Sequence, residues 1–324
     1  MTLKTATRAD LESVPGTESQ AQRRKPKRRR SVQVQDTPVD RIFMVGVYIL
    51  LSTFLLIVLV PLINIVASSF SSPAAVSGGQ VFLWPVDFTL IGYEAVLGNE
   101  AIVTGFANSL FYALVGTLVS VTLTVMIAYP LSRSELVGRK VLIGGVLFTM
   151  LFSGGLIPTY MVVRALGLLD TRWAMIIPAA IGAWQVLIAM TFFRSSIPGE
   201  LYEAAQLDGA SDLRFLWSVV LPLSKPLLAV IALMYGIGQW NSYFSALIYL
   251  RSEELYPLQL VLRNILVLNN NSGGTNLADQ MQAKQVADLM KFSLIVVSTV
   301  PVLLVYPFVA RHFTKGVMLG SVKG

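Results

Sequence analysis

The chain has 324 residues, 54% of them hydrophobic and only 13% charged, about half the roughly 25% charged share of an ordinary soluble domain. It has no Cys and a single His, His312, which excludes disulfides, thiolate metal centres and His-rich metal sites. The net charge of +7 resembles a nucleic-acid signal, but much of it sits in one N-terminal run, Arg23 to Arg30, so no nucleic-acid partner is expected.

The first 40 residues are polar and basic and are expected to form a disordered tail. The basic run serves first as a topology signal and only second as a contact for anionic lipid. The stretch 42–66 is too long for a signal-peptide core of roughly 7–15 residues and closes without a clear cleavage site, so it predicts an uncleaved first span. Further apolar runs lie at 104–129, 141–163, 173–193, 226–250 and 290–310, each close to the about 20 residues that cross a bilayer. The third follows Arg139-Lys140, and the fourth opens at Trp173, a residue type that anchors helices at the interface. Pro178, Pro301 and Pro307 fall inside runs and predict kinks. The fold class read from this pattern is all-α: a polytopic transmembrane helical bundle of six spans occupying 41–324.

With the N-terminus in the cytoplasm, 19 of the 25 Lys and Arg residues fall inside and six outside, so both termini are expected in the cytoplasm of a bacterial cell, the chain being multi-pass in its inner membrane. The outer loops are then 67–103, 164–172 and 251–289, the last ending in a polar stretch from Asn269 to Lys284. Long polar loops of this kind are usually functional or disordered.

The most informative segment lies between the fourth and fifth runs, at 194–225. Pro198 suits a first helical turn, and Glu200 and Glu203 sit where the positive end of the helix dipole favours carboxylates. Gly209 is placed to end this short helix, and Ser211 or Asp212 to cap a second, amphipathic one bearing Leu213, Leu216 and Val220. Pro222 and Pro226 close it before the fifth run. The small side chains of Ala204 and Ala205, on one side with Leu201, suit a helix that seats in a cleft on another protein. By composition alone the segment would sooner be read as an interfacial amphipathic connector.

Glu203-Ala204-Ala205, then Asp208-Gly209-Ala210, then Leu221-Pro222 resembles the EAA loop of binding-protein-dependent ABC importer permeases. Gly167-Leu168-Leu169-Asp170-Thr171 and the tail Gly320-Ser321-Val322-Lys323-Gly324 look like the carbohydrate permeases of the maltose-transporter MalG type. The resemblance covers residues 40–324. It implies a type I ABC importer permease fold, with the EAA helix as the coupling helix that docks on a cytoplasmic ATPase subunit. It also implies two such ATPase subunits, a second and different permease subunit, and an extracytoplasmic binding protein that delivers a carbohydrate, expected to be an oligosaccharide. The tail from Val317 to Gly324 would reach between the ATPase subunits, and loop 251–289 would meet the binding protein. The chain itself carries no G-x-x-x-x-G-K-[ST] phosphate loop. It is therefore expected to be non-catalytic and to bind no cofactor, with ATP and Mg held by the partner subunits.

Polar side chains inside spans are costly and face protein or a wet cavity. Gln185 with Trp184, and Gln239, Trp240, Asn241 and Tyr243, are candidates for the substrate path, because amides pair with hydroxyls and aromatic faces cover sugar rings. The competing role is packing and interhelical hydrogen bonding, which is favoured for Asn64 and Asn108. A permease for peptide, phosphonate or another solute remains an alternative. A secondary transporter would show carboxylates near span centres, and a membrane enzyme would show convergent acids, His or Cys. Neither pattern is present in the assigned spans.

Overall fold

A computed structural model describes residues 37–268 and 277–321. The basic tail, most of 1–40, lies outside the described residues, as do 269–276 of the polar loop and Val322 to Gly324. Among the described residues the chain is helical, with no strand. In order, the helices are α1 (Pro38–Ser69), α2 (Pro73–Ser77), α3 (Ile91–Leu97), α4 (Glu100–Ser132), α5 (Arg139–Leu151), α6 (Leu156–Ala165), α7 (Arg172–Ile176) and α8 (Ala183–Ser196). Then come α9 (Gly199–Leu207), α10 (Asp212–Phe215), a π-helical turn Leu216–Val220, α11 (Leu221–Leu223), α12 (Lys225–Trp240), α13 (Tyr243–Tyr249), a 3-10 turn Glu253–Leu255, α14 (Leu258–Leu268) and α15 (Leu277–Ser321).

Residues through Leu55 and residues from Leu56 form two units. In the first, the opening turns of α1 leave Ile42, Phe43, Leu51 and Phe54 exposed, as a helix solvated by hydrocarbon would. In the second, α4 is the central helix and packs against α12, α8, α14 and α7. One core cluster gathers Val125, Ala128, Phe193, Phe215, Val220 and Ile231. Another joins Val96 and Ile102 to Trp240, Leu258 and Leu294. Helix starts follow local chemistry: the Asn99 side chain accepts the Ile102 N–H at 3.3 Å, and Ser72 caps α2 ahead of Pro73.

Three of the six expected spans are unbroken helices long and apolar enough to cross a membrane: α1, α4 and the Lys284–Pro307 part of α15. The others are interrupted. The run 141–163 becomes α5 and α6, bent by 115° across Phe152 to Gly155, where Gly155 takes φ +81, a region that costs glycine little. The run 173–193 splits into α7 and α8 around Pro178, which cannot donate to a helical ladder. The run 226–250 splits into α12 and α13 at Asn241 and Ser242. The segment Asp212–Leu223 also meets α12 at 82°. Counting each bent pair as one crossing gives up to five candidate spans among the described residues, so the expected number of six is not reached by helix length and composition alone. A hydropathy window of about 20 residues averages across a four-residue break and cannot register it.

The loops expected on the outer side hold more structure than their composition suggests. Loop 251–289 contains the 3-10 turn, α14 and the start of α15, so 277–284 of the expected polar loop is helix. Asn108 donates to the Glu254 and Tyr256 carbonyl oxygens at 2.6 and 3.2 Å. Tyr112 donates to the Leu255 carbonyl at 2.8 Å, and the Ser109 hydroxyl accepts the Leu258 N–H at 2.8 Å. Asn64 likewise donates to the Val81 and Phe82 carbonyls. Both asparagines therefore serve packing and loop attachment.

Candidate coupling segment and substrate path

The EAA-type segment is built as its backbone chemistry requires. Helix α9 follows Pro198 and ends in a Schellman motif: the Gly209 N–H donates to the Gln206 carbonyl at 3.0 Å and the Ala210 N–H to the Ala205 carbonyl at 2.9 Å. Gly209 holds φ +73, the left-handed conformation that this cap needs. Of the two candidate caps for the next helix, Ser211 serves: its hydroxyl accepts the Arg214 N–H at 3.3 Å. Asp212 instead accepts a hydrogen bond from the Tyr202 hydroxyl at 2.8 Å. That bond, chiefly, raises the Tyr202 phenol above its ordinary pKa, with burial and the Asp212 charge adding to it.

Helix α9 has two unlike sides. Tyr202 and Ala205 pack onto the core cluster of Phe193 and Phe215. Glu203, Ala204, Leu207, Asp208 and Gly209 are exposed, and Leu207 is 90% so. The expected pairing of Ala204 with Ala205 on one contact face is thus corrected, since only Ala204 looks outward. Ala210 is half-buried. Leu221 packs on the core, while Pro222 is exposed beside the 82° bend.

Sequence reading missed the group that holds α9 in place. At the end of α4, the Arg133 guanidinium carbon lies 3.8 Å from the Tyr202 ring centroid, 5.2 Å from Tyr129 and 5.3 Å from Phe215. One terminal nitrogen donates to the Tyr129 hydroxyl at 3.2 Å, and Tyr202 meets Phe215 edge to face at 5.4 Å. The four-residue step from Tyr129 to Arg133 near a helix end was the available sequence signal.

The substrate-path candidates have unlike surroundings. Gln239 is buried at 4% exposure against Gly116, and its side-chain oxygen has no partner among the described residues. Trp240 is core: its indole N–H donates to the Ser298 carbonyl at 3.1 Å and its ring meets Phe106 edge to face. The Asn241 amide nitrogen donates to the Ile237 carbonyl at 3.0 Å, capping α12, while its side chain stays exposed. Tyr243 is exposed and Gln185 half-buried. Trp184, Thr191 and Ser195 form an open stripe along α8. A cavity of about 550 Å³ between α4, α12 and α15 is lined almost wholly by apolar groups such as Leu114, Leu233 and Pro301, with Trp240 on its wall. It lacks the paired polar groups that hold a sugar.

Two further knots fix the ends of the interrupted runs. The Tyr235 hydroxyl shares a hydrogen bond with Thr124 at 2.7 Å and accepts the Gly182 N–H at 3.0 Å, joining α12, α4 and the start of α8. Asp170, at φ +58, accepts the Arg251 and Ser252 N–H groups at 2.8 and 2.9 Å and the Ser252 hydroxyl at 2.7 Å. The Ser252 hydroxyl, then the backbone donors, hold its carboxyl below the usual carboxylate range.

No protein-family model matches the chain. It is 41% identical over 285 residues to YtcP, a polygalacturonan/rhamnogalacturonan transport system permease protein of Bacillus subtilis, covering 88% of this chain and 99% of the relative. It is 28% identical over 272 residues to AraQ, the arabinooligosaccharide transport system permease of Halalkalibacterium halodurans, covering 82% and 91%. A solved chain of a bacterial ABC transporter involved in importing the acidic polysaccharide alginate superposes with a TM-score of 0.80 at 39% identity, over 86% of this chain and 98% of that one. With near-complete coverage and about two residues in five shared, the chain belongs to the family of membrane-spanning permease subunits of sugar ABC transporters.

Proposed function

We propose that this permease carries an acidic oligosaccharide across the cytoplasmic membrane, driven by ATP hydrolysis on partner subunits. The observation that supports the charge of the substrate is its likeness, at 41% and 39% identity, to one permease for polygalacturonan or rhamnogalacturonan and one transporter for alginate. Three exposed arginines agree with it: Arg164, Arg172 and Arg251 have no ion-pair partner among the described residues, and Arg172 is backed by the Phe111 ring at 4.7 Å. In this reading these arginines lie on the extracytoplasmic side, where a binding protein delivers the substrate. The exposed groups Asn241 and Tyr243, the half-buried Gln185 and the open α8 stripe face the path that this chain completes with a second, different permease subunit. Gln239 and Trp240 support that wall from behind.

On the cytoplasmic side, the exposed edge of α9 (Glu203, Ala204, Asp208 and Gly209) docks in a groove of one of two ATPase subunits that hold ATP and Mg. Ala205, Ala210, Leu221 and Pro222 fix the angle of that edge. The spans alternate between inward- and outward-open states, and nucleotide and loaded binding protein each bias the balance. The test is uptake by the four-subunit transporter with its binding protein in proteoliposomes, comparing an oligogalacturonate with a neutral maltooligosaccharide. Uptake of the oligogalacturonate alone is expected. Preference for the neutral sugar would overturn the acidic assignment, and ATP-independent uptake would overturn the coupling.

A further inference from the structure

We propose that Arg133 is the positioning residue through which α9 drives α4. The inference rests on the reading of α9 as the ATPase-docking helix. The side chains of α9 that pack onto the core are Tyr202 and Ala205. Ala205 offers one methyl group, so the large contact is Tyr202, and the flat face of that ring is covered by the Arg133 guanidinium at 3.8 Å. The ring is restrained chiefly by Phe215, which meets it edge to face, with its hydroxyl also donating to Asp212 at 2.8 Å. Any tilt of α9 therefore displaces the plate that lies against the guanidinium.

The far side of that guanidinium belongs to α4. It bonds the Tyr129 hydroxyl four residues back, and Tyr129 meets Phe193 of α8 at 6.4 Å, edge to face. The Arg133 Nε is buried without a hydrogen-bond partner among the described residues. A planar cation held mainly by ring faces keeps its attraction while it slides, whereas a hydrogen-bonded clamp would break. Arginine provides such a plane; lysine provides a point charge with no flat face.

α4 then carries the displacement across the membrane. From Ser132, next to Arg133 at the helix cap, back to Asn108 the helix is continuous, roughly 36 Å at about 1.5 Å per residue. Its other end holds the 254–258 segment through Asn108, Ser109 and Tyr112. One rigid element thus joins the α9 contact to the loop on the opposite face, the kind of physical connection that a coupling claim requires.

The experiment uses the complete transporter in proteoliposomes with oligogalacturonate-loaded binding protein. Because the chain has no Cys, Gln206→Cys carrying a benzophenone, exposed on α9 beside the docking edge rather than in it, reports contact between α9 and the ATPase. In that background, Arg133→Leu, Arg133→Lys, Tyr202→Phe and Tyr202→Ala are compared by cross-linking and by the ratio of stimulated to basal ATP hydrolysis. Arg133→Leu and Arg133→Lys are expected to keep the cross-link while the ratio falls by roughly ten-fold. Tyr202→Phe keeps the ring and should retain most of the ratio. Tyr202→Ala should match Arg133→Leu, and the double variant should be no worse than either. A normal ratio in Arg133→Lys, or additive losses in the double variant, would overturn the role of Arg133. Should Arg133→Leu fail to assemble, Arg133→Lys, which keeps the charge and the methylene stem, decides. Absence of the cross-link with Arg133 intact would instead remove the docking role of α9, and this inference with it.

Discussion

Replacement of Gly209 isolates backbone conformation from packing. Its φ is +73, and a Cβ added there meets nothing within 4 Å, so no side chain opposes a substitution inside this chain. The cost is conformational: an L-residue in the left-handed region loses about 1–2 kcal/mol relative to glycine. Alanine should therefore shift the ratio of closed to frayed α9 ends about 5- to 30-fold, at about 1.4 kcal/mol per factor of ten. Asn adopts this region more readily, and β-branched Val resists it most. Helix α9 is only nine residues long and is capped by the two bonds that depend on this angle, so fraying reaches the exposed edge assigned to docking. Stimulated ATP hydrolysis in proteoliposomes should fall in the order Gly, Asn, Ala, Val, with permease abundance unchanged. Normal stimulation in Gly209→Val would refute the reasoning. Equal loss in Gly209→Asn and Gly209→Val would refute it too, because it would make bulk rather than φ the cause.

Tyr235→Phe leaves the Thr124 hydroxyl and the Gly182 N–H without their partner, and each such buried group costs about 1–3 kcal/mol; an unchanged melting temperature of the purified protein in detergent would show that the knot carries no stability. The Asp170 carboxyl is held below its usual range, so its clasp on Arg251 and Ser252 is complete above the ordinary carboxylate pKa of about 4 and is lost as pH falls through the lower folded value. Hydrogen exchange of those two amides should therefore lose protection in acid, and Asp170→Asn, which tolerates φ +58, should show no such pH dependence; identical profiles would rule out an ionic clasp. Ala205→Trp should destabilise the permease itself because that side chain packs inward, whereas Ala204→Trp should leave it folded and block ATPase co-purification; the reverse pattern would invert the assigned face. Cys introduced at Ser77 should react with an impermeant reagent outside whole cells and Cys at Ser134 should not, both sites being exposed; labelling at Ser134 alone would reverse the orientation.

The amino-acid sequence by itself determined the membrane character, the apolar runs and the ends of α9, because hydropathy and caps act over one helical turn to one span. Gly209 at a left-handed cap and Ser211 at a helix start are decided by their own backbone neighbours. A kink at Pro178 was legible from the residue type, but the tertiary structure alone decided the breaks at Gly155 and Asn241, which permit an interruption that hydropathy does not record. It also decided which of two adjacent alanines faces outward, a matter of what packs against α9. The partners of Asn108 lie 146 and 148 residues away, those of Asp170 lie 81 and 82 away, and the rings around Arg133 come from three helices. Such pairings exist only once packing has brought distant turns together, and no local rule of propensity or spacing encodes them.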